Sequence, residues 1–156
     1  MPKDWLIEGL DKSYQILVLI LEGVSQEQAQ SISDGPEGWN VLEILCHLRD
    51  YQEIFFERIK RILDEDNPTF RLYDEDARLA MVVENDYANQ DLRHVLDDYC
   101  TTRRELISCL SPLQGELWER VGRFAMGDEV DLAMPVVHVL LHDADHIEQI
   151  ARILRQ

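Results

Sequence analysis

Trp39-Asn40-Val41-Leu42-Glu43-Ile44-Leu45-Cys46-His47-Leu48 opens a helix and orients it. Asn40 is a good cap, because its side-chain oxygen can accept from a free N–H of the first turn. Glu43 stands three residues on, where a capping-box acid reaches back. Val41, Ile44, Leu45, Leu48, Phe55, Ile59 and Ile62 then recur at helical spacing as one apolar face, which fades into Asp64-Glu65-Asp66-Asn67-Pro68. The same period appears in three other segments. A first helix runs from about Asp4 to Glu22, with Trp5, Leu6, Leu10, Tyr14, Leu17, Val18 and Leu21 in its pattern and Gly23 as its stop. A third runs from about Asn89 to Leu110, with Leu92, Val95, Leu96, Tyr99, Leu106 and Leu110, and halts at Ser111-Pro112. A fourth covers roughly Asp131 to Leu154.

Four long amphipathic helices bury their stripes only against one another, so the expected fold is an all-α four-helix bundle in a single domain over residues 1–156. Asp34-Gly35-Pro36-Glu37-Gly38 is the clearest loop, and Ser25 to Ser33 reads as a short extra turn. Asp74 to Val83 reads as a short helix inside a long connection between the second and third helices. That connection exceeds the roughly 2–8 residues usual between antiparallel neighbours. It has the length to carry the chain back along the bundle and leave those two helices parallel. A second irregular stretch, with Trp118 and Gly127, leads into the fourth helix.

Composition narrows the function. Glycine and proline number only 7 and 5, too few for a turn-dense all-β chain, and the net charge is −16. A surface so negative, with no basic stripe, repels phosphate backbones and anionic lipid, so neither nucleic acid nor membrane is an expected partner. Cys46, Cys100 and Cys109 show no C-x-x-C spacing and read as free, buried thiols of a reducing compartment. Met1-Pro2-Lys3-Asp4-Trp5 carries an acid early and begins no long apolar run, so neither a leader nor a spanning segment is expected. A cytoplasmic protein follows.

The histidines carry the chemistry. His138, His142 and His146 lie four residues apart on one face of the fourth helix, and imidazoles at i and i+4 can converge on one ion. The outer two are separated by roughly 12 Å along the axis, at about 1.5 Å per residue, which is too far to share a ligand easily. One adjacent pair therefore binds, and another helix supplies the third nitrogen. His94 sits on the polar side of the third helix with Asp97, Asp98, Thr101 and Glu105, as solvated surface. His47 stands in line with Ile44, Tyr51 and Ile54 at the edge of a buried face, where an imidazole needs partners for its ring nitrogens.

Gly38 to Leu48 resembles the start of the second helix in the DinB-like (DinB/YfiT) superfamily, with its tryptophan, helix cap, glutamate and histidine before leucine. His142-Asp143-Ala144-Asp145-His146-Ile147-Glu148-Gln149 resembles the H-x-x-x-H-x-x-Q signature near the C-terminus of its members. Order, spacing and position agree over essentially the whole chain. The resemblance implies up-down-down-up connectivity, a divalent ion (nickel, zinc or iron) on His47, His142 and His146, and dimerisation. His138 then falls to a supporting or core role. Two positions depart from the pattern: Glu148 stands where many members carry glycine, and Cys46 where a small residue is common. Neither is a ligand.

Three imidazoles leave coordination positions open, as catalytic sites do. Gln149, one turn beyond His146, is placed to orient a ligand or substrate. Asp143 follows His142 where H-E-x-x-H metalloproteases carry their base, although aspartate is one methylene shorter and reads first as ordinary helix polarity. Arg103 and Arg104 read as exposed arginines able to meet an anion. Characterised relatives include transferases that use low-molecular-weight thiols such as bacillithiol, mycothiol or glutathione. The resemblance thus implies a small-molecule substrate and thiol-dependent S-transfer. Metal-assisted hydrolysis is the alternative, and a non-catalytic metal- or ligand-binding module stands beside both.

Overall fold

The structure is a computed structural model that describes residues 3–125 and 127–156. Met1 and Pro2, part of the N-terminal stretch read above, lie outside the described residues. Four long helices form the bundle: α1 (Lys3–Ile20), α3 (Val41–Asp64), α5 (Leu92–Leu110) and α6 (Ala133–Ile153). Two short ones, α2 (Gln26–Ser31) and α4 (Glu75–Glu84), lie in the connections. The capping box at Asn40 and Glu43 is formed: Asn40 Oδ1 accepts from the Glu43 N–H at 3.0 Å, and Glu43 Oε2 accepts from the Asn40 N–H at 2.9 Å. Asp91 caps α5, which starts at Leu92 rather than near Asn89 because residues 87–89 form a separate tight turn. No described helix is long and apolar enough to cross a membrane.

Each helix buries its stripe in two layers. Leu17 and Leu21 of the first segment, Val41 to Leu48, Leu92 to Cys100, and Ile150 with Ile153 fill one apolar cluster. Leu6 and Leu10, Phe55 to Ile62, Leu106 with Leu110, and Leu132 to Val139 fill the other. From the second cluster to the first, α1 and α6 run forward in sequence while α3 and α5 run backward, which is the up-down-down-up arrangement. Trp5 and Val18, read above as part of the inward pattern of the first helix, are instead exposed. They flank a stripe already complete with Leu6, Leu10 and Leu17.

Between the two clusters lies one polar layer. Arg103 on α5 is fully buried, and its five N–H groups find five acceptors: Gln52 Oε1 on α3, the Leu10 carbonyl and Ser13 Oγ on α1, Tyr99 Oη, and Asp143 Oδ2 on α6 at 2.8 Å. Asp143 also accepts from Ser13 Oγ at 2.6 Å and Tyr99 Oη at 3.1 Å. Arg103 is therefore not the exposed anion-binder expected from its charge, and Asp143 is not ordinary helix polarity. A guanidinium with every donor satisfied and a paired carboxylate are what a dry interior tolerates.

A small sheet, unforeseen in the sequence, joins the two long connections. Strand β1 (Thr69–Phe70) pairs in parallel with β2 (Val121–Phe124), and β2 pairs antiparallel with β3 (Glu129–Asp131), Gly122 facing Val130. Strands of two to four residues are too short to show a period-two pattern. Gly122 is required, since a Cβ there would stand 2.5 Å from the Phe70 ring.

Arg103→Leu leaves the Asp143 carboxylate buried without its cation. Urea unfolding followed by circular dichroism is expected to show a loss of about 3–5 kcal/mol. The double variant Arg103→Leu/Asp143→Leu should recover most of that loss.

Candidate metal centre

His47 lies two turns into α3, in a register fixed by the Asn40 cap, and Trp39 packs edge-on against its ring at 5.0 Å between centroids. The antiparallel α6 brings His142 and His146 opposite. His47 Nε2 and His142 Nε2 are 2.8 Å apart, and the ring centroids of His146 lie 5.0 Å from His47 and 4.5 Å from His142. One nitrogen from each ring falls within 4.8 Å of the others, and no thiol or carboxylate joins the group among the described residues. Burial pushes the His47 imidazolium down to about 3, helped by the charges of His146 and Arg78, and pushes His142 down to about 2, helped by its two neighbours. Both rings are therefore neutral at physiological pH and keep a lone pair for a cation.

The tautomer of His146 is selected by its partners. Gln149 Nε2 donates to Asp34 Oδ2 at 2.8 Å, and a carboxylate only accepts, so Gln149 Oε1 is the atom that faces His146 Nδ1 at 2.8 Å. Nδ1 must then donate, which leaves the His146 Nε2 lone pair free for an ion. This is the outer support that metal-binding imidazoles need. Asp34 is itself held by Arg152 at 2.7 Å, and hydrogen bonds from Arg152 and Gln149 lower its pKa. Gly38 lets the 34–38 loop close there, because a Cβ would stand 1.9 Å from the Asp34 carbonyl oxygen. His47 has no such support: its Nδ1 is buried without a partner among the described residues. The donor set fits a divalent ion with open positions: three imidazole nitrogens from two helices.

Tyr51, one turn past His47, stacks flat on His142 with 3.5 Å between centroids and fixes that ring's plane. Tyr73, Asp74, Glu75 and Arg78, from the start of α4, close the other side of a cavity of about 460 Å³ over the histidines. Of the remaining expectations, Gln149 stands directly behind His146, whereas Asp143 points away into the polar layer. His138 is exposed, not core, and lines a neighbouring cavity. His94 is exposed beside Asp98 and is not one of the convergent histidines. Tyr51 was readable as the next i, i+4 position after His47. Asp34 and Arg78 carry no local signal, because only the tertiary fold brings them here.

A four-helix bundle of up-down-down-up order, with three convergent histidines at the α3–α6 seam, defines the class. The chain belongs to the DinB superfamily, whose pattern it matches over residues 10–150. No curated protein matches it. Among solved structures it is similar to YfiT from Bacillus subtilis, described as a probable metal-dependent hydrolase with an unusual four-helix bundle topology. That likeness has a TM-score of 0.85 at 22% identity, over 98% of this chain and 86% of that one. It is also similar to a mycothiol-dependent maleylpyruvate isomerase, with a TM-score of 0.77 at 10% identity over 96% of this chain. A histidine-to-alanine variant of the isomerase gives 0.77 at 11%. The chain spans 61% of the isomerase's length.

Mass-spectrometric metal analysis of protein purified without immobilised nickel is expected to find a single ion per chain. It should be lost in His47→Ala and His142→Ala and retained in His94→Ala. Gln149→Ala should keep the ion but weaken its affinity by about 10–100-fold in chelator competition, since it removes only the support behind His146.

Proposed function

We propose that the protein is a metal-dependent enzyme holding nickel, zinc or iron on His47, His142 and His146 and joining a low-molecular-weight thiol to a small electrophile. The observation that carries this reading is a three-nitrogen site, without a fourth protein ligand among the described residues, at the floor of an open cavity. When bound there, a divalent ion stabilises a thiolate relative to the thiol. The chain's own residues supply the rest. Burial keeps His47 and His142 neutral, Gln149 holds His146 in the tautomer that offers Nε2, and Tyr51 keeps the His142 ring from turning. Arg78 lines the cavity wall, paired with Glu75 at 3.0 Å.

Hydrolysis is the second reading. It is supported by the description of YfiT and by Asp74 and Glu75, two carboxylates that line the same cavity. We also place the protein in the cytoplasm, from its cysteine usage, and as a homodimer, as the family resemblance implies. Trp5 and Leu19 of α1 and Leu141 of α6, each more than 60% exposed, are apolar surface available to a second copy. Sedimentation giving only monomer would remove the dimer.

The metal-loaded protein is expected to accelerate conjugation of a physiological thiol to monochlorobimane. The rate should require the ion and disappear in folded His146→Ala. Cleavage of an ester without added thiol, with no conjugation across a thiol panel, would replace this reading by hydrolysis. Absence of both reactions would leave a binding module.

A further inference from the structure

A second cavity of about 430 Å³ adjoins the histidine cluster and shares Tyr51 and Tyr73 with it. Two helical stripes run past both cavities. On α3, His47, Tyr51, Phe55 and Arg58 follow at spacings of four, four and three. On the antiparallel α6, His146, His142, His138 and Met134 run the other way. The floor is aromatic, with Tyr51 stacked on Phe55 at 4.5 Å, and Phe124 closes the far side. At about 1.5 Å per residue, Arg58 stands roughly 16 Å along α3 from His47.

Arg58 is the anomaly in this wall. It is 93% buried by the complement of its 7% exposure, yet it makes no ion pair among the described residues. Its Nη2 donates to the Arg71 carbonyl at 2.8 Å, while Nε and Nη1 have no acceptor. The guanidinium lies 4.5 Å from the Phe55 ring centroid and 5.1 Å from that of Phe124, both cavity walls. Those faces offset part of its desolvation, but they leave its fork of donors unused. Asp128 lines the same cavity without pairing with it. A second polar group is idle close by: the Tyr73 hydroxyl is buried without a partner. The unpaired guanidinium donors are not sealed from solvent, so an anion entering the cavity can reach them.

We propose that this cavity takes the acceptor substrate, an apolar or aromatic molecule bearing one carboxylate, with the carboxylate on Arg58 and the reacting end at the histidine cluster. A single guanidinium fork matches the two oxygens of a carboxylate and neutralises one charge. The net charge of −16 disfavours more highly charged anions. The apolar walls suit a hydrocarbon body better than a polar thiol. The assignment of a substrate role rests on the enzyme reading above; the binding itself does not.

Calorimetry with 3-phenylpropanoate and 3-phenylpropanamide, on chelator-stripped and on zinc-loaded protein, tests it. The carboxylate is expected to bind about tenfold or more tighter than the amide in both forms. Arg58→Met should erase that preference, and Arg58→Lys should restore part of it. Equal binding of the two probes, binding of neither, or a preference that survives in folded Arg58→Met would overturn the proposal. Where Arg58→Met does not fold, the comparison of probes on the unmodified protein decides alone. Displacement of the carboxylate by a physiological thiol would give the cavity to the thiol and overturn the acceptor assignment. Failure to take up zinc with the preference intact would instead sink the metal reading and leave the anion site.

Discussion

The Arg103–Asp143 pair sets the register on which the rest of the molecule depends. Each of the four long helices interrupts its apolar stripe with a polar residue, and Ser13, Gln52, Arg103 and Asp143 meet in one layer. Burying an ion pair adds little net stability, because desolvation offsets the attraction. A misaligned one is very unfavourable. A bundle held by leucines alone tolerates a helix turned or slid by a residue. This one does not, since any slip strands a charge in a dry core. With Asp143 fixed toward α1 and α5, the helical step of about 100° turns His142 toward α3, and His146 follows one turn later.

Support for the histidines is unequal. His146 is braced by a relay through Gln149 and Asp34 to Arg152, which ties α6 to the loop ahead of α3. His142 is held by stacking on Tyr51, and His47 by Trp39, burial and its contact with His142. The relay and the Asn40 capping box converge on the same short segment. The 33–40 loop, closed by the Ser33–Asn40 bridge, therefore sets both where α3 starts and which nitrogen His146 presents.

The bundle was legible because its helices are long and strongly periodic, and because Asn40 and Glu43 announce α3. A three-histidine cluster was legible because a histidine inside an apolar stripe is conspicuous and an i, i+4 pair needs a third partner, while the choice of His142 and His146 over His138 and His142 came from the family resemblance. Arg103 and Asp143 were misread, although the same logic applied. Arg103 falls four residues after Tyr99 and three before Leu106, inside the α5 stripe, and charge there should have signalled a buried pair. Arg58 hides by the same device. The sheet left no trace because its strands are shorter than any usable pattern. Asp34, Tyr73 and Arg78 reach the site from connections whose course only tertiary packing decides.

The connections have a consequence of their own. The histidines and their polar layer sit on the long helices, but much of the outer wall of the neighbouring cavity (Leu72, Tyr73, Phe124, Asp128, Val130) comes from the two connections stitched together by the sheet. Loops accept insertion and replacement far more readily than packed helices. A lineage can therefore redraw what the cavity admits by rewriting residues 66–74 and 121–131 while the frame and its nitrogen donors stay untouched. One scaffold is in this way open to many chemistries.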